Sequence, residues 1–260
     1  MCRLVGYLGQ DSLFLEHLIS KPNHSLTVQS YQPLEMTSGL LNADGFGIGW
    51  YAPDQAPFLY KNTFPIWSDI NLGHLGRYVQ SHCILANVRS ATSGQSVDLA
   101  NCQPFNYGQV LGIHNGYIDN FRRSLYRPLR SLLADKYYQN IYGSTDSEHI
   151  MALFFQNYDS INLNSMVFAL QKTLDTVLDI CSQYNVNASL NLIVSDGQQL
   201  VASRCASKSP APSLYFLQNH LQKSVTIASE PLFDSPDWVS LAENRILAIA
   251  LDLTPSFHEL

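Results

Sequence analysis

The second residue of the chain combines two groups that can do chemistry together. Cys2 follows Met1, and cysteine is small enough for methionine aminopeptidase to remove the residue before it. Removal would leave Cys2 with a free α-amine, whose ordinary pKa of about 7.7–8.0 keeps it partly neutral at working pH. That amine can take the thiol proton, directly or through a water molecule, and produce a nucleophilic thiolate. The sequence predicts a nucleophile and its base on one residue, against the alternative of a cysteine without a role.

A cysteine that attacks a carbonyl group needs hydrogen-bond donors for the oxyanion that forms. Asn115 and Gly116 follow the apolar segment 110–114, and they offer a side-chain amide and a backbone N–H. Glycine also lets a carbonyl group approach closely. An Asn-Gly turn at the end of a strand is the structural alternative.

Two charged residues are suited to the two ends of an α-amino acid. Arg89 ends the apolar segment 83–88, where a guanidinium needs a partner and fits a bidentate carboxylate. Asp146 falls in the first turn of a predicted helix and can accept from an ammonium group. A structural salt bridge for Arg89 and a helix cap for Asp146 are the alternatives.

The composition argues against several classes of partner. Apolar residues make up 46% of the 260 residues and charged residues 14%, which is typical of a globular protein with a large core. A net charge of −6 without a basic run argues against nucleic acid and against an anionic membrane as partners. We find neither an apolar run of about 18 residues nor a signal-peptide layout. The five cysteines are irregularly spaced, which favours reduced thiols in a cytoplasmic protein over disulfides or a zinc site.

Hydrophobic periodicity predicts strands first, then two central helices, then strands again. Strands are predicted over residues 2–9, 42–51, 58–61, 83–88, 110–114, 188–194, 199–204, 214–217, 225–228 and 246–251. The segment 58–61 is expected to pair with 42–51 as a hairpin, and Asp196-Gly197 predicts a second hairpin between 188–194 and 199–204. The glycines at alternate positions of 42–51 predict a close approach to one face of that strand. Helices are predicted near residues 12–19, over 119–134, from a capping box at Thr145 and Glu148 to about 158, and over 163–184. Two sheets covered by helices satisfy this order, in a single domain over residues 1–260.

The order of the motifs resembles the class II glutamine amidotransferases, a family of N-terminal-nucleophile hydrolases. The motifs are Met1-Cys2 with Gly6, Asp44-Gly45-x-Gly47-x-Gly49, Val88-Arg89-x-Ala91-Thr92-x-Gly94, Asn101-x-x-Pro104-Phe105, His114-Asn115-Gly116 and Ser144-Thr145-Asp146-Ser147-Glu148. The segment 228–232, followed by Trp238, is similar to the short stand-alone branch that acts in ergothioneine biosynthesis.

The resemblance implies an α+β fold, a four-layer αββα sandwich of two antiparallel sheets. It implies that Cys2 is the nucleophile and that its amine is the base. Asn115 and Gly116 would form the oxyanion hole, Arg89 would bind the α-carboxylate of a γ-glutamyl group, and Asp146 would bind its α-ammonium. This chemistry requires neither a metal nor an organic cofactor.

Thr92 and His114 belong to two of these motifs, and we add them to the predicted substrate-binding residues. A structural role is the alternative for His114. The larger amidotransferases often carry Trp and His where this chain has Ser90 and Ser93, a departure that fits the short branch.

We therefore expect an amidohydrolase that releases glutamate from a small-molecule γ-glutamyl conjugate, such as γ-glutamyl-hercynylcysteine sulfoxide. One alternative is a glutaminase subunit that supplies ammonia to a separate synthase. Another is a non-catalytic binding module, which would retain Met1. A homo-oligomer is compatible with any of these.

Overall fold

Two antiparallel sheets lie face to face in the computed structural model, which describes residues 1–37, 39–52, 57–91, 95–158, 163–208 and 210–260. The strands are β1 (Arg3–Phe14), β2 (Phe46–Tyr51), β3 (Pro57–Asn62), β4 (Gln80–Val88), β5 (Phe105–Tyr107), β6 (Val110–Ile118), β7 (Ala188–Ser195), β8 (Gln199–Arg204), β9 (Tyr215–Asn219), β10 (Ser224–Ala228), β11 (Val239–Ser240), β12 (Arg245–Ala250) and β13 (Ser256–Glu259). The helices are α1 (Glu16–Ile19), α2 (Leu26–Tyr31), α3 (Leu72–Tyr78), α4 (Tyr126–Leu132), α5 (Asp135–Tyr138), α6 (Asp146–Asn157) and α7 (Leu163–Gln183).

The strands of each sheet come from distant parts of the chain. One sheet has the order β11-β9-β10-β1-β4-β2-β3, and the other has the order β13-β12-β8-β7-β6-β5. Strand β1 is central in the first sheet, between β4 and β10. The residue before it, Cys2, is therefore held at the end of a strand that is paired on both sides.

Three apolar clusters separate the four layers. Along β1, Leu4 belongs to the cluster between the two sheets, whereas Val5 packs into the cluster under α1, α2 and α3. This alternation follows from the two-residue period of a strand that is buried on both faces. A third cluster joins α6 and α7 to the second sheet. The predicted αββα sandwich is confirmed.

Several predicted elements have the predicted partners. Strands β2 and β3 form an antiparallel hairpin, and so do β7 and β8. Helix α7 agrees with its predicted range to within one residue. The predicted close approach to the glycine-rich strand also occurs, because a Cβ at Gly49 would lie 2.7 Å from the Leu111 side chain. A Cβ at Gly47 would collide with the backbone carbonyl of Gln103.

Two predicted helices are shorter than expected. The chain remains extended in β1 as far as Phe14, so only Glu16–Ile19 of the predicted 12–19 segment is helical. Residues 119–125 form turns, and α4 begins at Tyr126. Pro128 therefore lies in the first turn of α4, where the backbone N–H that proline lacks would have no partner within the helix.

The prediction that a strand ends at His114 was wrong. Strand β6 continues to Ile118, and Asn115 and Gly116 pair with Asn191 and Leu190 of β7. The local preference of Asn-Gly for a turn is overridden because eight consecutive residues of β7 lie opposite β6.

No helix among the described residues combines the length and the hydropathy that a membrane span would require.

Candidate active site

Cys2 lies in the wall of a cleft with a volume of about 290 Å³, which we call the Cys2 cleft. The cleft is lined by Met1, Cys2, Gly39, Ser90, Ala91, Gly116, Tyr117, Ile118, Asp119 and Asn120. Cys2 itself is only 8% exposed. Burial lowers the pKa of the Met1 amine below its ordinary value of 8.0, although the neighbouring Cys2 acts in the opposite direction. Burial thus favours the neutral form of the Met1 amine.

A buried ion pair fixes the backbone of Cys2. The Nε of Arg3 donates to the Cys2 carbonyl at 2.8 Å, and its Nη1 donates to Oε1 of Glu230 at 2.8 Å. Both side chains of this pair are at most 1% exposed. The other oxygen of Glu230 accepts from the backbone N–H of Leu34 at 2.8 Å and lies 2.7 Å from Nε2 of His24.

Asn115 faces the space between the sheets, close to β1, the strand that follows Cys2. Its Nδ2 donates to the Ser229 hydroxyl at 3.4 Å, and the same hydroxyl accepts from the Leu4 backbone N–H at 3.1 Å. Asn115 is thus linked through one hydroxyl to the strand that carries Cys2. Gly116, the next residue, lines the Cys2 cleft directly. Strand β6 therefore brings the Gly116 backbone to the cleft that Cys2 lines, and it connects the Asn115 side-chain amide to β1 through Ser229.

Arg89 follows β4, next to the start of β1, because Arg3 pairs with Val88. The side chain is 3% exposed and donates to three neutral oxygens, at Asp44, Gln95 and Ser96, over 3.2–3.3 Å. Among the residues that the structure describes, no carboxylate forms a salt bridge with Arg89. The predicted alternative of a structural salt bridge is therefore not seen there. Thr92 lies outside the described residues.

Asp146 joins the first turn of α6 to the end of β6. Its Oδ2 accepts from the Ile118 backbone N–H at 2.8 Å, and its Oδ1 accepts from the Ser147 N–H at 2.9 Å. Asp146 is 7% exposed and lies behind Ile118, which lines the cleft. The Ser147 hydroxyl also donates to Oδ1 at 3.5 Å, so the acceptor site left for an ammonium group is the second lone pair of Oδ2.

Only one of the two hydrogen bonds of the predicted capping box forms at the N-terminus of α6. The Thr145 hydroxyl accepts from the Glu148 N–H at 3.2 Å. The Glu148 carboxylate, however, accepts from the N–H groups of Tyr142 and Gly143 instead of returning to Thr145. The loop before α6 is therefore held by Glu148.

His114 lies on the opposite face of β6 from Asn115, because neighbouring strand residues point to opposite sides. It is completely buried, with Nδ1 2.9 Å from the Ser147 hydroxyl and Nε2 3.0 Å from the Ser189 carbonyl. Burial lowers the pKa of His114 below its ordinary value. Both ring nitrogens are occupied. Of the predicted site residues that the structure describes, Cys2 and Gly116 line the cleft, whereas His114, Asn115, Arg89 and Asp146 lie behind its lining.

Sequence reasoning missed two residues close to the nucleophile. Asn42 donates to the Met1 carbonyl at 2.7 Å, and Glu230 holds Arg3 from 227 positions further along the chain. Glu230 occurs in a segment that matches the short amidotransferase branch, which was the available signal for it. Asn42 has no comparable signal, because it precedes the glycine-rich motif in a loop.

Comparison with known proteins defines the class. The profile of the family described as "Glutamine amidotransferases class-II" matches residues 23–218, which leaves Cys2 outside the matched range. The "Probable glutamine amidotransferase DUG3" of Saccharomyces cerevisiae is 31% identical, over 96% of this chain and 82% of the relative. The "Gamma-glutamyl-hercynylcysteine sulfoxide hydrolase" of Mycolicibacterium smegmatis is 29% identical, over 96% of each chain.

Solved structures agree in fold. A glutamine aminotransferase class-II domain protein from Silicibacter pomeroyi superposes with a TM-score of 0.73 at 26% identity and covers 99% of both chains. A glutamine phosphoribosylpyrophosphate amidotransferase from B. subtilis has a TM-score of 0.65 at 15% identity, over 99% of this chain and 49% of the other, which bears on the fold alone.

This chain belongs to the class II glutamine amidotransferase family. The predicted family and the assignment as an enzyme of the amidohydrolase type are confirmed. The relatives named above are all enzymes, which argues against the alternative of a non-catalytic binding module.

Proposed function

We propose that this protein uses Cys2 to hydrolyse the amide bond of a γ-glutamyl conjugate and releases glutamate. The observation that carries the proposal is the buried guanidinium of Arg89, which lies beside the nucleophile strand without a carboxylate partner among the described residues. A buried charge of this kind is costly unless it is paired. The α-carboxylate of a γ-glutamyl group would supply the missing negative charge in bidentate geometry.

In the proposed reaction, the first step forms a thioester. Once processing exposes the α-amine of Cys2, the amine takes the thiol proton and the thiolate attacks the γ-carbonyl. The Asn115 amide and the Gly116 N–H stabilise the oxyanion, which in comparable sites contributes about 3–4 kcal/mol. The α-ammonium of Cys2 then protonates the leaving amine as the C–N bond breaks. Water, activated by the same amine, hydrolyses the thioester, and this step frees glutamate and restores the thiol.

Substrate contacts are assigned to Arg89 and Asp146. Arg89 holds the α-carboxylate and Asp146 accepts from the α-ammonium, so the two charges select the free amino-acid end of the substrate. Thr92 remains a predicted contact of the same group. His114 is left out of the proposed contacts because its ring nitrogens already lie within hydrogen-bond distance of Ser147 and Ser189.

We propose γ-glutamyl-hercynylcysteine sulfoxide as the conjugate. The proposal is supported by the match to the hydrolase of that name over 96% of both chains. Ser90 lines the cleft, where a tryptophan is common in the larger amidotransferases, and the smaller side chain leaves room for a bulky leaving group. The second candidate is glutamine hydrolysis that supplies ammonia to another chain, and the 31% identity to a probable glutamine amidotransferase favours it.

The test uses protein whose N-terminus has been checked by intact mass. Glutamate release is measured with free glutamine and with γ-glutamyl thioether and sulfoxide conjugates. We expect kcat/KM to be highest for the sulfoxide conjugate and expect Cys2→Ala to abolish release from every substrate while the protein remains folded. Cys181→Ala, a change of a buried cysteine in α7, is the matched control and should retain activity.

Two results would contradict the proposal in different ways. Substantial glutamate release by Cys2→Ala would remove the nucleophile assignment. A strong preference for free glutamine would leave the nucleophile in place and select the ammonia-supplying function instead.

A further inference from the structure

We propose that Asn42 is the positioning residue that holds the mature α-amine of Cys2 through its side-chain carbonyl. The inference rests on the proposed function, in which that amine is the catalytic base. It assigns to Asn42 a contact that forms only after the residue preceding Cys2 has been removed.

The surroundings of Asn42 supply the first observation. Its Nδ2 donates to the Met1 carbonyl at 2.7 Å, and its backbone N–H donates to the Ser30 carbonyl at 2.7 Å. The residue is completely buried. Its Oδ1 has no hydrogen-bond partner among the described residues. A buried acceptor without a partner is uncommon and destabilises the fold until a donor reaches it.

The position of this amide follows from peptide geometry. The carbonyl oxygen of Met1 and the nitrogen of Cys2 are bonded to the same carbon, so they are only about 2.2 Å apart. The Asn42 amide therefore lies within a short distance of the Cys2 nitrogen. When Met1 leaves, Nδ2 loses its acceptor, and the inferred contact pairs the new amine of Cys2 with Oδ1, which has no partner among the described residues.

The chemistry of the base explains why such an acceptor is needed. A neutral amine carries N–H donors and one lone pair, and only the lone pair can take the thiol proton. A hydrogen bond from one N–H to Oδ1 would stop the amine from rotating and direct its lone pair towards Sγ or a bridging water. The protonated amine would donate to the same oxygen, so Asn42 would hold the base in both of its states.

The test compares three changes in processed protein. Asn42→Leu keeps the volume but removes the acceptor, and we expect kcat/KM to fall roughly ten- to a hundredfold. Asn42→Asp keeps the acceptor and adds a negative charge, which raises the pKa of the amine. We therefore expect the acid limb of its pH profile of kcat/KM to move upward by about one pH unit. Gln29→Glu is the control, because it puts a carboxylate at another buried amide whose oxygen has no partner among the described residues. It should move the acid limb of the pH profile by less than half as much as Asn42→Asp.

Intact mass controls for processing, because Asn42 also touches Met1. Each variant is made behind a cleavable leader whose protease leaves Cys2 as the first residue. An Asn42→Leu enzyme that retains more than half of the parental kcat/KM would overturn the proposal. An acid limb of Asn42→Asp that coincides with that of the parent would also overturn it.

A second readout separates this inference from the proposed function. In a Cys2→Ala background, the pH dependence of acetylation of the terminal amine gives its pKa without any turnover. We expect Asn42→Asp to raise that pKa there as well. If the parent protein releases no glutamate but the pKa still moves, the proposed function fails and the contact stands. If turnover is present and the pKa does not move, the contact is wrong.

Discussion

At the scale of single residues, Arg89 is a buried guanidinium without a salt bridge among the described residues. Three neutral oxygens accept from its guanidinium at 3.2–3.3 Å, and the described residues provide no carboxylate for it. Hydrogen bonds to neutral oxygens orient the group but leave its positive charge uncompensated. A carboxylate ligand therefore gains a strong charge-assisted interaction with a partner that is already in place.

We predict that Arg89→Lys lowers kcat/KM for a γ-glutamyl amide about a hundredfold. Lysine keeps the charge but loses the planar fork that binds both carboxylate oxygens. For a substrate analogue without the α-carboxylate, Arg89→Lys should lower kcat/KM only slightly, because Arg89 has no carboxylate to bind in that analogue. Kinetics with both substrates check this.

The matched control for Arg89 is Arg204→Lys. Arg204 also donates to backbone carbonyls, at Pro212 and Leu241, but it ends β8 in the other sheet, whereas Arg89 follows β4, the neighbour of β1. In this control, the ratio of kcat/KM for the two substrates should be the same as in the parent. Equal losses for both substrates in Arg89→Lys would assign Arg89 a structural role only.

At the scale of elements, strand β6 decides the position of the two proposed oxyanion donors, Asn115 and Gly116. Its pairing with β7 extends through Asn115 and Gly116 to Ile118. A Cβ at Gly116 would collide with the Ser189 carbonyl and with the His114 ring. Glycine is therefore required by the close approach of the two strands, in addition to any role of its N–H.

We predict that Gly116→Ala destabilises the protein by about 1–3 kcal/mol or more, because the added methyl group forces β6 away from β7. Gly73→Ala is the control, since a Cβ at Gly73 in α3 meets nothing within 4 Å. That change should stabilise the protein by up to about 1 kcal/mol through helix propensity. Urea unfolding gives the free energy of unfolding of both variants. Equal values for Gly116→Ala and Gly73→Ala would contradict the predicted collision between β6 and β7.

At the scale of the whole molecule, Glu230 joins parts of the chain that are far apart in sequence. Its carboxylate contacts Arg3, His24 and the N–H groups of Leu34 and Glu35. Burial opposes its ionisation, but the hydrogen bonds and the charge of Arg3 outweigh burial and hold the pKa of Glu230 below its ordinary value of 4.5. Strand β1, which follows Cys2, and the loop before Asn42 are thus both bound to the Glu230 carboxylate.

We predict that Glu230→Gln costs about 3–5 kcal/mol of stability at neutral pH, because it leaves the buried guanidinium of Arg3 without its anion. Glu259→Gln removes a pair of the same 2.8 Å length whose two side chains are 37% and 78% exposed, so it should cost less than about 1 kcal/mol. Urea unfolding at fixed pH compares the two.

The cost of Glu230→Gln should depend on pH with a definite sign. A carboxylate whose pKa is lowered by folding contributes its full stability above the unfolded pKa and loses it as the pH falls through the folded pKa. The difference between parent and Glu230→Gln should therefore shrink below about pH 4.5. A difference that grew on acidification would show that Glu230 is not stabilised as an anion.

The sequence by itself determined the elements whose signal is local. The apolar period of α7, the turn residues between β7 and β8, and the Thr145 cap of α6 depend on neighbours within a few positions. The order of short motifs was enough for the family, because each motif keeps its spacing along the chain. The predicted roles of Cys2 and Arg89 in the proposed reaction rest on this order and await the experiments above.

Only the tertiary structure decided what depends on distant parts of the chain. Asn115 and Gly116 lie within a strand because β7 pairs with them. His114 lies on the other face of β6, where its ring contacts Ser147 and Ser189. The contact between Arg3 and Glu230 spans 227 positions, and the unpartnered oxygen of Asn42 is a property of packing alone. Local preferences amount to about 1 kcal/mol or less per residue, whereas removing one partner of a buried charge pair costs about 3–5 kcal/mol, so packing prevails where the two conflict.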